Sequence, residues 1–390
     1  MSTLMAYSQR APIRQDIIAP QGEEDKRPRT RCGYLVPEAY SCYEQALGEV
    51  GAAASGKAVH FAADLICSGG LDIWIRGVYS YSVQHINLGN PRIFSYLRTR
   101  VAELDKKAEQ LPQDNFFTHP DVQSNISEVV LILQLCPKHA KVSWPKVDEN
   151  TKRDGWIRGV AGAAEHRATR KIWSNEGDSP TLYLVGNEMC KAVQEGSTER
   201  TLFWIRWTID EDARIRKETK GAGLTNRERG PAGSNKKQST DSGHYLCAVL
   251  VELYREMAEK GVLKMNEEFQ ELVRLWRGGE HRMAARLRRD CLGLMAMILC
   301  EVPRWKTPSS PPLVPDPMRL SRAVTQSTSF FNEVLAHRPL PLTHQLKPNM
   351  TKAKGERKKK NLTEKEQQSL SIEDKLGAYD AIMEAYLNGR

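Results

Sequence analysis

The chain has 390 residues, of which 40% are hydrophobic and 27% charged, and a net charge of +9. These are globular values with a polar excess suited to tails and loops. No run of about 18 apolar residues occurs, so no membrane-spanning helix is expected; Met1 to Pro20 lacks the apolar stretch of a secretory signal, so an intracellular protein is expected, cytoplasmic or nuclear.

Residues 1–36 are expected to be disordered, because Pro12, Pro20 and Pro28 punctuate mixed charge without a period. A helical body is expected over 37–302. Pro37-Glu38-Ala39 suits a helix start. Ala58 to Ile66 is apolar on one face, Gly69-Gly70 breaks it, and Asp72 can cap a helix from Ile73 to about His85. Asn87-Leu88-Gly89-Asn90-Pro91 is a turn, since asparagine and glycine tolerate left-handed backbone. The helix from Arg92 to Leu111 then places Ile93, Leu97, Val101 and Leu104 on one core-facing stripe. Val129 to Leu133 has strand composition; the length from Pro120 to Cys136 favours a buried helix, but periodicity alone does not settle strand against helix.

Lys141 to Gly155, with Pro145, reads as a linker, and 138–155 is a candidate internal boundary. Helices follow over Trp156 to Trp173, Leu182 to Glu195 and Thr198 to Lys217. Gly221 to Gly243 reads as a mobile basic loop. Helices are expected again over Tyr245 to Lys260, Asn266 to Trp276 and Glu280 to Val302. The prolines between Pro303 and Pro317 predict a stiff linker over 303–318. A short helix over 319–338 and a disordered basic tail over 339–370 complete the reading, with an amphipathic helix over 371–390. Ile372, Leu376, Tyr379, Ile382, Met383 and Leu387 share one face of that last helix, which suits docking on the body or a partner.

The eight cysteines are scattered without a CxxC pair. That spacing predicts buried free thiols in a reducing compartment and no zinc site.

The positive charge is localised. Lys347 to Lys365 carries eight bases against two acids, and Ala213 to Gly243 eight against three, which leaves the rest close to neutral. In the tail, Lys352, Lys354, Arg357, Lys358, Lys359 and Lys360 fit a nuclear-import signal, a nucleic-acid arm or a solubilising tail. Arg282, Arg286 and Arg289 fall at helical spacings of four and three. This stripe suits either phosphate contacts or a solvated helix face.

Catalytic signals are sparse. Gly51 to Lys57 has the glycine and lysine spacing of a phosphate-binding loop. However, Ala58 stands where a hydroxyl should meet magnesium, and helical text precedes the string, so a small-residue break between helices is the favoured reading. His60 and Asp64 share a helix face without further metal ligands. Glu165-His166 belongs to no metalloprotease pattern, and Asp210-Glu211-Asp212 suits salt-bridging to Arg214 and Arg216. Trp204 and Trp207, three apart, are expected in the core. No catalytic, cofactor-binding or metal-binding residue is assigned, and no cofactor is expected.

The strings Phe61 to Gly69, His85 to Pro91 and Trp204 to Trp207 resemble uncharacterised helical proteins of large eukaryotic DNA viruses, a likeness spanning about the first 210 residues. It implies an all-helical fold and a setting in cytoplasmic replication or virion assembly, and it carries over no site.

The fold class expected is all-α: an irregular multi-helix bundle with a disordered N-terminus, a basic internal loop and a tethered C-terminal helix. The leading functional reading is a non-enzymatic interaction or scaffold protein. Its body would bind protein partners, and its basic tail and loop would associate with nucleic acid, away from membranes. The alternatives are a dedicated nucleic-acid-binding protein in replication, transcription or packaging, and an enzyme with a non-local active site.

Overall fold

Apolar stripes at helical spacing become packed helices along the chain. The computed structural model describes residues 28–152, 155–230, 240–263, 267–277, 285–301, 312–313 and 317–337. Within these the protein is all-α, with no strand beyond two isolated bridges, Arg29 to Leu35 and Asp178 to Thr225. No helix among the described residues is long and apolar enough to cross a membrane. Most of the proline-rich segment, the tail and the last amphipathic helix lie outside the described residues, as does nearly all of the N-terminal segment.

The chain divides into two compact units, residues 1–74 with 329–390, and residues 75–328. In the first, α1 (Val36–Gly48) packs on α2 (Ala52–Cys67). Val36, Ala39, Tyr43 and Leu47 of α1 are buried at spacings of three and four, and α2 answers with Ala54, Ala58, Val59, Ala62 and Ala63. Alanines let the two axes approach closely, as ridge-into-groove packing requires. The Gly51 to Lys57 string is the first part of α2, with Gly51 as its N-cap at φ 123°. Its amides enter the helix instead of forming a cradle, and Lys57 is exposed. Asp64 is fully buried and its Oδ1 accepts the backbone N–H of Cys32 at 2.9 Å, which ties the entering chain to α2.

The division falls within α3 (Leu71–Tyr81). Asp72 sits in the first turn of α3, and the helix passes into a π turn, Ser82–Ile86, which the sequence reading had run together with it. Asn87 then takes φ 33°, the left-handed backbone expected of that asparagine. In α4 (Ile93–Gln110) the stripe Ile93, Leu97, Val101 and Leu104 is buried as its spacing requires. After the short α5 (Gln113–Phe116), Val129 to Leu133 lies in α6 (Pro120–Leu135), a helix and not a strand.

The expected helix over Trp156 to Trp173 is two pieces, α7 (Trp156–Val160) and α8 (Arg167–Ile172). The buried Glu188 takes the N–H groups of Gly162 and Ala163, each at 2.7 Å, and Asn187 takes that of His166 at 3.0 Å. These side chains replace helical carbonyls as acceptors and hold 161–166 extended. Both belong to α9 (Pro180–Gln194), which is followed by α10 (Thr198–Glu218), α11 (Ser242–Glu259) and α12 (Glu267–Trp276). Asp241 caps α11 by accepting from Gly243 N–H at 2.8 Å.

At the centre of the second unit runs α13 (Ala285–Glu301), packed on α9, α10, α11, α12 and the π turn. Its residues Cys291, Leu292 and Leu294 to Cys300 are buried all round, the signature of a core helix rather than a surface one. The expected short helix over 319–338 is α14 (Pro317–Ala336), within which the second division falls. All eight cysteines are free, and six are buried. Burial pushes the thiols of Cys67, Cys190 and Cys247 up to about 12, so they pack as small apolar groups.

Candidate nucleic-acid interface

Between α6 and α7 the chain runs from Pro137 to Lys152 with no regular structure except a closing 3-10 turn, Glu149–Lys152. It is nevertheless fastened along its length, and we call it the strap. At its start, Lys138 turns its ammonium back onto the end of α6. There it donates to the carbonyls of Leu133, of Gln134 at 3.1 Å and of Cys136 at 3.2 Å. Part of its stem faces solvent, but burial of the ammonium lowers its pKa to about 8. The ammonium also lies over the Tyr81 ring at 5.2 Å, and the His85 ring stacks on that of Tyr81 with centroids 4.5 Å apart. His139 N–H donates to the His85 carbonyl at 2.8 Å, and the Asn87 side chain donates to the Ala140 carbonyl at 3.0 Å.

The middle of the strap lies against α13. A Cβ on Gly293 would stand 2.8 Å from Val142 Cγ1 and 2.9 Å from the Trp144 ring, so only glycine leaves room for this pair. Gly89 has the same role lower down, where a Cβ would stand 2.8 Å from the Pro137 carbonyl oxygen. Trp144 Nε1–H donates to Asp290 Oδ1 at 2.9 Å, and the Arg289 guanidinium lies 5.3 Å from the Trp144 ring. At the far end Arg206 donates to the Pro145 carbonyl at 3.0 Å, and Trp207 Nε1–H to the Thr151 carbonyl at 3.0 Å. Trp207 in turn belongs to a buried cluster with Trp204 and the half-buried Trp156, at centroid distances of 6.0 to 6.2 Å.

Lys141 and Lys146 project from the strap, exposed and without an ion pair among the described residues. Beneath Lys141 lies a cavity of about 70 Å³ lined by Gln84, Lys141, Val142, Trp144, Arg289 and Asp290. His85 is lowered to about 4, first by burial and then by Lys141 and Lys138. The charged groups that act on this histidine are thus cations.

The arginine stripe read from the sequence fares unevenly. Arg282 lies outside the described residues, and the side chain of Arg286 is not described. Arg289 meets the strap, while its neighbour Arg288 turns onto Trp276, its guanidinium 4.3 Å from that ring. The tail residues Lys352, Lys354, Arg357, Lys358, Lys359 and Lys360 lie outside the described residues.

Lys141, Lys146, Gln84 and Trp144 were missed as a group because the segment reads as a linker. A signal was present: Lys138 to Lys146 holds three lysines and no acid, with Val142 and Trp144 two apart. A period of two places those two side chains on one side of an extended segment.

Many other cations of the second unit are paired, whereas Lys106, Lys191 and Lys260, like Lys141 and Lys146, are exposed without an ion pair among the described residues. Arg100 meets Glu103 and Glu128 at 2.9 and 2.6 Å, Lys171 meets Glu252 at 2.5 Å, and Arg98 and Arg274 meet Glu271 at 3.0 and 3.1 Å. The acidic run is consumed the same way, with Glu211 to Arg214 at 2.6 Å and Asp212 to Arg216 at 2.8 Å. Among the described residues no three histidine, cysteine or carboxylate side chains gather in a metal-binding group.

Comparison with protein-family models, with curated proteins and with solved structures finds no match to the chain.

Proposed function

We propose that this is a non-enzymatic helical interaction protein that associates with nucleic acid through two basic elements, the strap and the tail. The observation that carries the proposal is the make-up of the strap, which sets the exposed Lys141 and Lys146, without an ion pair among the described residues, near the Arg289 guanidinium and the Trp144 ring. Unmatched lysines beside an arginine and a tryptophan suit a phosphate backbone, which rewards cations that release its counterions. The viral resemblance of Phe61 to Gly69 and Trp204 to Trp207 is compatible with such a role in replication or assembly. Those strings supply packed helix rather than the basic surface.

The test is fluorescence anisotropy of a labelled duplex against the full chain over a range of salt. The variants are Lys141→Gln with Lys146→Gln, and the tail with Lys352, Lys354, Arg357, Lys358, Lys359 and Lys360 replaced by glutamine. Binding is expected to weaken in both variants, and the slope of log affinity on log salt to fall by about one for each phosphate contact removed. Absence of salt-sensitive binding by the unmodified chain would refute the nucleic-acid half of the proposal.

A further inference from the structure

We infer that the cavity beneath the strap is an oxyanion site that takes a single phosphate-class group. Its lining holds two cationic side chains, Lys141 and Arg289, and one carboxylate, Asp290. Lys141 has no ion pair among the described residues. The Arg289 side chain borders the cavity, with its guanidinium 5.3 Å from the Trp144 ring. An oxyanion placed between these two cations would accept charge-assisted hydrogen bonds from them. Asp290 is already engaged, its Oδ1 accepting the Trp144 indole N–H at 2.9 Å, so it serves to orient the tryptophan wall. Gln84 adds an amide able to donate.

Size and rigidity agree with this chemistry. The cavity of about 70 Å³ exceeds the roughly 10–15 Å³ that one water needs, which leaves room for a tetrahedral oxyanion. Val142 and Trp144 give it apolar walls, which strengthen an ion pair relative to one in open water. The strap is already fastened through Ala140, Trp144 and Pro145, so binding need not order it. The inference rests on the nucleic-acid reading only for where the phosphate comes from, a polymer backbone or a free ligand.

The experiment follows the Trp144 indole N–H in a nuclear magnetic resonance titration of the full chain, with chloride matched for ionic strength. Inorganic phosphate is the first probe, and a single-stranded oligonucleotide is the second. Phosphate should shift the resonance saturably. Lys141→Gln, at an exposed position that folding does not need, should weaken that effect about tenfold, the worth of one charge-assisted hydrogen bond. Arg289→Lys, which keeps the charge but loses the planar fork of guanidinium donors, should weaken it as well. If both probes shift the indole, the site is upheld and a polymer phosphate is its source. If only inorganic phosphate does, the site is upheld with a free phosphate-bearing ligand, and the strap is removed from the nucleic-acid reading. If neither shifts it, even where the oligonucleotide binds elsewhere on the chain, the cavity is a water site and the inference is overturned.

Discussion

Two basic segments without regular structure, the strap at 137–152 and the hook at 221–230, look alike in sequence and are built on opposite electrostatic plans. In the hook the cations face inward. Arg229 Nη1–H donates to Asp178 Oδ1 at 2.8 Å, Arg227 lies 3.5 Å from the same carboxylate, and Thr225 Oγ1–H donates to it at 2.7 Å. Leu224 and Thr225 are buried, and the Leu224 carbonyl accepts from Ser179 N–H at 2.8 Å. The stretch expected to be a mobile basic loop is thus anchored over 221–230, because a buried aspartate claims its arginines; 231–239 lies outside the described residues. In the strap the aromatic and backbone groups face inward, and two lysines are left over. A basic segment therefore reports available charge only after its carboxylate partners have been subtracted.

The largest expected effect breaks the hook. Burial alone would raise the Asp178 pKa, but hydrogen bonds from Arg229, Thr225 and the Ser174 backbone hold it below the usual carboxylate range. Asp178→Ala leaves Arg229, largely buried, without its counter-charge, and should cost about 3–5 kcal/mol in urea unfolding. A loss no larger than that of an ordinary surface ion pair would show that the hook is held by its backbone contacts alone.

Next in size is the seat of the strap. Gly293→Ala places a methyl group against Val142 and Trp144. Overpacking of this kind costs about 1–3 kcal/mol, against a helix-propensity gain of about 1 kcal/mol. Net destabilisation is expected, together with faster proteolysis within 137–152. Unchanged cleavage would mean that the strap tolerates displacement.

A pH effect comes third. Folded His85 titrates near 4, whereas its ordinary value is 6.5. Between those values the unfolded chain binds the extra proton, so folding stability falls as pH drops through this window. His85→Gln should remove part of that dependence, read as the urea midpoint at a series of pH values. Superimposable profiles would place the acid sensitivity at other groups.

The smallest effect on folding belongs to the strap's free lysines. Lys141→Gln and Lys146→Gln should each change stability by less than about 0.5 kcal/mol. If both are silent in stability and reduce the salt dependence of duplex binding, the two segments are distinguished as intended. Arg227→Gln is the control, since its charge is already directed at Asp178.

Legibility differed between fold and site for physical reasons. The stripe of α4 and the turn at Asn87 were readable because each depends on neighbours within a few residues, whereas the apolar run Val129 to Leu133 fits strand and helix alike until its packing is known. The break between α7 and α8 was not, since Glu188 and Asn187, which hold 161–166 extended, lie more than twenty residues further along. Of the arginine stripe, Arg289 contacts Trp144 across 145 residues of chain, which leaves no local trace.

By itself, the sequence determined an all-helical chain, the approximate positions of its helices and the burial of most of its thiols. These follow from apolar periodicity, caps and glycine or proline breaks, which act over one or two turns. Only the tertiary structure decided which cations are spent on carboxylates and which remain at the surface, and that a segment with the composition of a linker is a fastened strap. Charge pairing and close packing at Gly293 depend on side chains brought together from distant parts of the chain, and their energies fall off within a few ångströms.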